Sequence, residues 1–347
     1  MRIVCLAGDG IGPEVMREAL RALEILLPEA EIVEMPFGHE PLEREGTPLP
    51  EATMRAVAEA DAVLLGAVGS GNQQWQDGGN AEDGLFQLRR MLDVFANLRP
   101  VKWGDLDVLL VRELVGGIYF GPRGKRPDGT VFDTCEYKPA EVERVARKAF
   151  EIARSRRKRL TSVDKANVLA TSRLWRGVVA ELAEEYPDVT VDHLLVDTAV
   201  LHVGSDPRPF DVILTDNMFG DILSDALAVH GGGLGVLPSA SIGNGAPGLF
   251  EPVHGSAPDL VGTGHANPAG MLLSVALMLR WGLERPELAD ALEDAVAAAI
   301  ANVPTRDLGG TAAPPQFGDA VVERLAAYVS EGRQTKASET VKSEDPA

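Results

Sequence analysis

Short apolar runs of strand length alternate along the chain with segments whose apolar residues recur at helical spacing. Ile3–Ala7 reads as a buried strand, followed by a polar turn and a helix with Pro13 at its first position. That helix is apolar at Val15, Ala19, Leu23 and Leu26, a period near 3.6. Further buried strands are expected at Ala62–Leu65, Val108–Val111, Val191–Val196 and Val212–Thr215. Helical segments separate most of them. This predicts an α/β fold with a largely parallel sheet, because crossover helices cover both faces of such a sheet and leave its strands apolar throughout.

The 347-residue length suits a sizeable core and roughly two domains or one large one. Three Gly-rich stretches, Gly66–Gly79, Gly231–Gly248 and Val253–Gly264, are long for connections in a compact domain, and such loops usually carry function. Residues 331–347 are polar and read as a disordered tail. Cys5 and Cys135 are the only cysteines, which points to a reducing, cytoplasmic setting rather than a disulfide scaffold. No basic leader precedes the first strand, and the most apolar later stretch, Ala269–Leu279, falls well short of the roughly 20 residues a membrane span needs. The charge balance is 33 basic against 52 acidic residues, a net −19, which argues against a duplex-binding protein with a basic footprint. The basic run Arg154–Arg159 ends a predicted helix that starts near Glu141, and it is read as a solvated helix end complementing the dipole.

Gly8-Asp9-Gly10-Ile11-Gly12-Pro13 departs from the G-x-G-x-x-G template, since Pro13 stands where the third glycine belongs. Nucleotide binding here is therefore not of the Rossmann type. The sharpest local feature is Asn217-Met218-Phe219-Gly220-Asp221-Ile222-Leu223-Ser224-Asp225. Asp221 and Asp225, four apart, share one face of a helix, and their oxygens suit Mg²⁺ or Mn²⁺. Spacing alone favours a plainer reading, an acid near the helix N-terminus with a solvated neighbour. Asp197 follows the apolar run ending at Val196, where a strand end delivers an acid to a cleft. Arg89, Arg99 and Arg112 border apolar segments and suit forked recognition of carboxylates, or equally structural ion pairing. Lys165, after strand-like residues, is suited to proton abstraction or to a salt bridge. His254, in Glu251-Pro252-Val253-His254-Gly255-Ser256-Ala257-Pro258-Asp259, lies in a loop that offers backbone groups and an acid to a ribose, or forms a compact surface loop. No Cys/His spacing suggests zinc, and no G-x-S-x-G elbow occurs.

Taken together, these segments resemble the metal-dependent β-decarboxylating dehydrogenases, the isocitrate and isopropylmalate dehydrogenase family. The resemblance covers nearly the whole chain, from Gly8-Asp9-Gly10-Ile11-Gly12-Pro13-Glu14 to Asp307-Leu308-Gly309-Gly310. It runs through Phe95-Ala96-Asn97-Leu98-Arg99-Pro100, Val111-Arg112-Glu113-Leu114 and Gly116-Gly117-Ile118-Tyr119-Phe120-Gly121. It continues through Val163-Asp164-Lys165-Ala166-Asn167-Val168-Leu169, Phe219–Asp225, Leu237–Ser241 and His254–Asp259. It implies a two-domain α/β isopropylmalate/isocitrate dehydrogenase-like fold with non-Rossmann nucleotide binding. Residues 1–94 and 233–330 would form the first domain, with the cofactor and part of the substrate site. Residues 95–232 would form the second, with metal, substrate and dimer contacts.

The resemblance also implies a homodimer with shared active sites, a small-molecule substrate, NAD and Mg²⁺ or Mn²⁺ as cofactors, and neither nucleic acid nor membrane as partner. Arg89, Arg99 and Arg112 match residues that hold substrate carboxylates. Asp221 and Asp225 match metal ligands, completed by the partner subunit's Asp197, which also meets the substrate. The partner subunit's Lys165 matches the base for the 2-hydroxyl, and Tyr137 the acid at C3. Glu82, His254, Gly255, Ser256, Ala257, Pro258, Asp259 and Asn267 match cofactor-binding positions.

Leu85 and Phe86 precede Arg89 where isocitrate enzymes place polar residues to meet a third carboxylate. Burying a carboxylate against Leu and Phe is costly, whereas an isopropyl group gains about 1.5–3 kcal/mol on burial. With the partner subunit's Val168 completing the pocket, the implied substrate is 3-isopropylmalate, oxidised and decarboxylated to 4-methyl-2-oxopentanoate and CO₂ in leucine biosynthesis. Homoisocitrate, isocitrate and tartrate are the rivals within the family. Asp259, where NADP-using relatives place Lys, implies NAD. A Mg²⁺-dependent phosphate hydrolase and a non-catalytic binding protein are alternatives from other classes, and neither accounts for acid, base, metal ligands and arginines together. Two departures from the pattern are the short link Lys102-Trp103-Gly104-Asp105 and the stretch Gly69–Trp75, which replaces a Gly-Pro-Lys-Trp sequence.

Overall fold

The computed structural model describes residues 1–69, 81–245 and 247–343, with side chains as far as Glu331. Most of the Gly66–Gly79 stretch lies outside the described residues. The chain packs as two compact units, Met1–Gly84 with Phe250–Ala347, and Leu85–Leu249. The resemblance implied borders at 94/95 and 232/233; the chain passes between the units at 84/85 and 249/250. In chain order the strands are β1 (Arg2–Gly8), β2 (Glu31–Glu34), β3 (Ala62–Ala67), β4 (Ala96–Trp103), β5 (Leu106–Glu113), β6 (Arg123–Lys125), β7 (Val131–Asp133), β8 (Arg159–Asp164), β9 (Thr190–Leu195), β10 (Val212–Thr215), β11 (Pro238–Ile242) and β12 (Gly248–Pro252).

In the first unit β1 lies between β2 and β3 and runs parallel to both, with Val4 opposite Val33 and Val63. Ile3–Leu6 and Ala62–Leu65 are buried throughout, the pattern of strands covered on both faces. Helix Gly12–Leu26 follows β1, starting one residue ahead of Pro13, and buries Val15, Ala19, Leu23 and Leu26. Helix Pro314–Ser343 packs beside it, tied by Arg21 to Asp319. That last helix continues through most of the segment whose polarity marked it as disordered, and residues 344–347 lie outside the described residues. Polarity argues against burial, not against helix, and a docked first half nucleates the rest. No helix among the described residues is long and apolar enough to cross a membrane.

In the second unit the strand order is β11-β4-β5-β10-β8-β9. β5, β10, β8 and β9 are parallel neighbours, while β4 is antiparallel to both β5 and β11. The sheet is thus parallel on one side only. The short link explains this: Trp103 pairs with Leu106 across Gly104-Asp105, and a two-residue connection closes a hairpin but cannot reach the start of a parallel strand. β9 ends at Leu195, and Val196 begins helix Val196–Ser205. Asp197 therefore follows the strand end, as expected, in the first turn of that helix.

The helix ends in exposed cations as expected, Arg154, Arg157, Lys158 and Arg159, but half-buried Arg156 makes the run an ion-paired junction as well. Arg154 meets Asp188 at 3.1 Å, and Arg156 meets Asp107 at 2.9 Å and Asp211 at 2.8 Å. The Asp211 side chain is fully withdrawn from water and also accepts the Arg159 N–H at 3.2 Å. Removing one partner of such a pair strands the other. Asp211→Ala should therefore cost about 3 kcal/mol in urea unfolding, and a loss near zero would show that the junction carries no stability.

Candidate active site

In the second unit, polar residues collect where parallel strands end. Arg112 and Glu113 close β5, Lys165 follows β8, Asp197 follows β9, and Asp216 and Asn217 follow β10. Open α/β sheets present functional groups at these carboxyl ends, because loops and helix N-termini converge there.

The register of β11, β4 and β5 sets Asn97 opposite Ser241 on one side and Arg112 on the other. The Asn97 amide donates to Ser239 and Ser241 at 3.0 Å each, and its oxygen accepts Arg99 Nε at 2.8 Å. Arg99 Nη1 donates to Ser224 Oγ at 2.5 Å. Arg112 directs Nε and Nη2 to Asn217 Oδ1 at 3.0 and 2.7 Å. Asn97, Arg99, Arg112, Asn217 and Ser224 are all buried, so each guanidinium is aimed by fixed acceptors rather than by water.

Helix Asn217–Ala228 supplies the other side. Asp216 caps it, accepting the Phe219 N–H at 2.9 Å. Asn217, Asp221, Ser224 and Asp225 then fall at i, i+4, i+7 and i+8, one helical face. Asp221 Oδ1 forms an ion pair with Arg112, Arg99 lies 3.5 Å from Asp221 and 4.0 Å from Asp225, and the Tyr119 hydroxyl donates to Asp221 at 3.2 Å. A side chain at 220 would stand 2.7 Å from Arg112 Cγ, so Gly220 lets the arginine run along the helix. Burial and the charges of Arg99 and Arg89 bring the Arg112 guanidinium down to about 10. Such crowded, desolvated cations gain from an added anion. Arg89 is buried on helix Ala81–Met91, where Leu85 lies four residues before it on the same face. Phe86 packs edge-on against Phe120 at 5.3 Å.

The Tyr137 hydroxyl donates to Glu113 Oε2 at 3.1 Å and accepts the Asn217 N–H at 3.1 Å. Its ring packs edge-on to Trp175 at 5.8 Å. Gly117 has φ +72°, and a Cβ there would stand 2.5 Å from the phenol oxygen, which accounts for the paired glycines. Glu113 is completely buried and accepts the N–H groups of Val115 at 2.9 Å and Gly116 at 3.0 Å. Withdrawal from water pushes Tyr137 and Glu113 up, and Asp216 up to about 7.

Lys165 and Asp197 pair with each other through Nζ and Oδ1. β8 and β9 are in register at Asp164 and Leu195, so the residues that follow emerge side by side. This hydrogen bond holds Asp197 below the usual carboxylate range. The Lys165 turn is fixed by buried Asp164, which accepts the Ala166 N–H at 2.9 Å and both Nε and Nη2 of Arg176 at 2.8 Å. Val168 in that turn is exposed. Among the described residues no group of three or more His, Cys, Asp or Glu is placed to hold a metal ion, so Asp197 does not join Asp221 and Asp225 within one protomer.

The first unit carries the other group of expected residues. Ser256 accepts the Ile11 N–H at 2.8 Å, and Glu14 accepts the Gly262 N–H at 2.8 Å, pinning this loop to the start of helix Gly12–Leu26. His254 Nε2 is buried without a hydrogen-bond partner among the described residues, and burial lowers the imidazole so that it is neutral near pH 7. Gly255 and Asp259 are exposed, the latter on the turn Pro258–Leu260 after Ala257 at φ +40°. Asn267 donates to Asp307 at 2.9 Å. Glu82 comes close enough to Gly69 that a Cβ there would meet its carboxylate at 2.8 Å. Asp9 accepts the N–H groups of His39 at 2.7 Å and Gly69 at 3.0 Å, so the Gly8–Pro13 turn is a polar latch.

Glu113, Asn97, Asn217 and Tyr119 were given no role by the sequence. The one signal was Glu113 itself, a second charge directly after Arg112 at the end of an apolar run.

Comparison with known proteins places the chain in a family. The family described as isocitrate/isopropylmalate dehydrogenase matches residues 2–321. Relatives named 3-isopropylmalate dehydrogenase from Streptococcus pneumoniae and Caulobacter vibrioides are each 46% identical, over 93% of this chain and 99% of theirs. Among solved structures, isocitrate dehydrogenase from Methylococcus capsulatus aligns with a TM-score of 0.87 at 34% identity, over 94% of this chain and 99% of that one. A β-decarboxylating dehydrogenase from Thermococcus kodakarensis aligns with a TM-score of 0.83 at 34% identity, over 95% and 97%. The chain belongs to the isocitrate/isopropylmalate dehydrogenase family and is an oxidoreductase.

The raised carboxyl of Asp216 makes a pH prediction. Its folded pKa, about 7, lies above the ordinary value near 4, so its stabilising contribution is complete below about pH 4 and lost as pH rises to 7. Asp216→Asn keeps a cap oxygen for Phe219 and never ionises. Its stability relative to the parent should rise between pH 4 and pH 8 by on the order of 1–3 kcal/mol in urea unfolding, and a constant difference would refute the assignment.

Proposed function

We propose that the chain catalyses the NAD-dependent, divalent-cation-assisted oxidative decarboxylation of 3-isopropylmalate to 4-methyl-2-oxopentanoate and CO₂. The observation that carries this reading is the link through Asn217, which binds a buried, anion-seeking guanidinium and a buried phenol on one side of the acidic helix. Relatives carrying that substrate in their names support the choice. So does Leu85, which shares a helix face with Arg89 and offers an apolar contact where a third carboxylate would be penalised.

Arg89, Arg99 and Arg112 hold the two substrate carboxylates, with Leu85, Phe86 and the partner subunit's Val168 around the isopropyl group. Asp221 and Asp225 are hard oxygen donors that fit Mg²⁺ or Mn²⁺, and the third acid is the partner subunit's Asp197. The unpartnered His254 Nε2 and exposed Asp259 fit an adenosine, the carboxylate accepting hydrogen bonds from a ribose diol. When bound, NAD takes up hydride from C2 and the cation stabilises negative charge developing on the C2 oxygen as CO₂ departs. The partner subunit's Lys165 removes the 2-hydroxyl proton, and Tyr137 delivers a proton to C3. The apolar side chains of Leu201, Ile222 and Val229, 73%, 54% and 80% exposed on and beside helices Val196–Ser205 and Asn217–Ala228, favour coverage by a second copy.

In a panel of 2-hydroxy acids with Mn²⁺, kcat/KM on 3-isopropylmalate should exceed that on isocitrate by about 100-fold or more, and Leu85→Ser should lower it by roughly 10- to 100-fold. Equal efficiency on isocitrate would overturn the substrate choice. Comparable efficiency with NADP would remove Asp259 as the discriminating group.

Shared sites are tested by mixing. Lys165→Ala and Asp221→Ala dimers should each be nearly inactive, but co-refolding makes about half the dimers hybrid, each with one intact site, and restores roughly a quarter of activity. Asp221→Ala mixed with Arg112→Ala should restore none. Absence of recovery in the first mixture despite confirmed hybrids would reject the arrangement.

A further inference from the structure

Glu113 has no role in the chemistry described so far, yet it is completely buried and contacts Tyr137 directly. Its carboxyl group accepts the Val115 and Gly116 N–H groups, and Oε2 also faces the Tyr137 hydroxyl at 3.1 Å. The phenol oxygen is met on its other side by the Asn217 N–H at 3.1 Å. An acid at C3 must release a proton and become a phenolate. A phenolate 3.1 Å from an ionised, buried carboxylate would be two negative charges sharing one desolvated space, which is strongly unfavourable. The geometry permits turnover only if the carboxyl carries a proton when the phenol gives up its own.

We propose that Glu113 is the proton donor behind Tyr137, a positioning residue that works through the phenol and resupplies the proton delivered to C3. This rests on the reading of Tyr137 as the C3 acid. The Tyr137 O–H bond breaks as the C3–H bond forms. The Glu113 O–H bond then breaks as the Tyr137 O–H bond re-forms, leaving a carboxylate held by the Val115 and Gly116 N–H groups. Solvent returns a proton to Glu113 after product leaves, and the proton taken from the 2-hydroxyl goes to solvent, so each turnover releases one proton and takes up one. The Asn217 N–H, at the first position of helix Asn217–Ala228, steadies the transient phenolate.

The surroundings agree. The charged and titratable groups around Glu113 are Arg112 on its own strand, Cys135 and Tyr137 on the segment leading to helix Pro139–Arg154, Arg144 on that helix, and Asp216 at the cap of helix Asn217–Ala228. Burial outweighs the nearby cation and pushes the Glu113 carboxyl up.

The proton step can be read without the full reaction, as exchange of the C3 hydrogens of 4-methyl-2-oxopentanoate in D₂O, with enzyme, Mn²⁺ and NADH. Wild-type enzyme should exchange, and Tyr137→Phe should not. Glu113→Gln, which keeps the size of the side chain, should slow exchange by roughly tenfold or more while product Kd and melting temperature stay at wild-type values. In wild type the exchange should rise with pH through the Glu113 titration, because exchange starts from the keto acid and runs the proton steps backwards, which needs Glu113 as the carboxylate that takes up the phenol proton. Glu113→Gln should lack that limb while any limb from Asp216 persists in both. Glu113→Asp, which keeps the acid but withdraws it by a methylene, should restore part of the rate and the limb. Exchange in Glu113→Gln within about twofold of wild type, or slowed only in step with weakened product binding, would overturn the relay. No exchange in the wild type would instead overturn Tyr137 as the acid, and the relay with it.

Discussion

Burying Arg99 and Arg112 beside one another is the constraint on which the second unit is built. Two guanidinium groups taken out of water cost several kcal/mol each unless their donors are met, and mutual repulsion adds to that. The protein meets the cost with neutral amides and hydroxyls first: Asn97 and Ser224 for Arg99, Asn217 for Arg112. The carboxylate of Asp221 is shared between both. Neutral acceptors aim the cations without cancelling them, so their positive field survives. The antiparallel β4 exists in this position because a hairpin is what sets Asn97 directly opposite Arg112.

The same constraint ties Arg112 to Tyr137. Asn217 offers its side-chain oxygen to Arg112, its amide to the Gly116 carbonyl at 3.0 Å, and its backbone N–H to Tyr137. Gly116 is also a donor to Glu113. A shift of the helix that moved one of these groups would move all of them, so the guanidinium and the phenol keep a fixed separation. Precise spacing of this kind is where much of an enzyme's advantage lies, since orientation alone accounts for several kcal/mol of a barrier.

The first unit solves a simpler problem. Its Val253–Gly264 loop has little regular structure, and its position comes from single hydrogen bonds to the first turn of helix Gly12–Leu26, Ile11 to Ser256 and Gly262 to Glu14. The loop leaves a neutral imidazole nitrogen and an exposed carboxylate available, groups suited to an uncharged base and a diol rather than to a second phosphate.

Local periodicity determined a great deal by itself. Val212–Thr215 is a strand in both readings, Val15, Ala19, Leu23 and Leu26 form one buried face, and Asp221 and Asp225 share a helix, because each depends on spacing within a few residues. Order along the chain made the family legible. What the sequence left open were pairings between distant segments. Asn97 meets Ser239 across 142 residues, Asn217 meets Arg112 across 105, and Asp211 meets Arg156 across 55. The buried partner of Arg156 was therefore hidden, and Glu113 had no partner to give it meaning. Only the tertiary structure decided these, because a buried charge takes its character from whichever group the fold sets against it, and that group has no fixed distance in sequence.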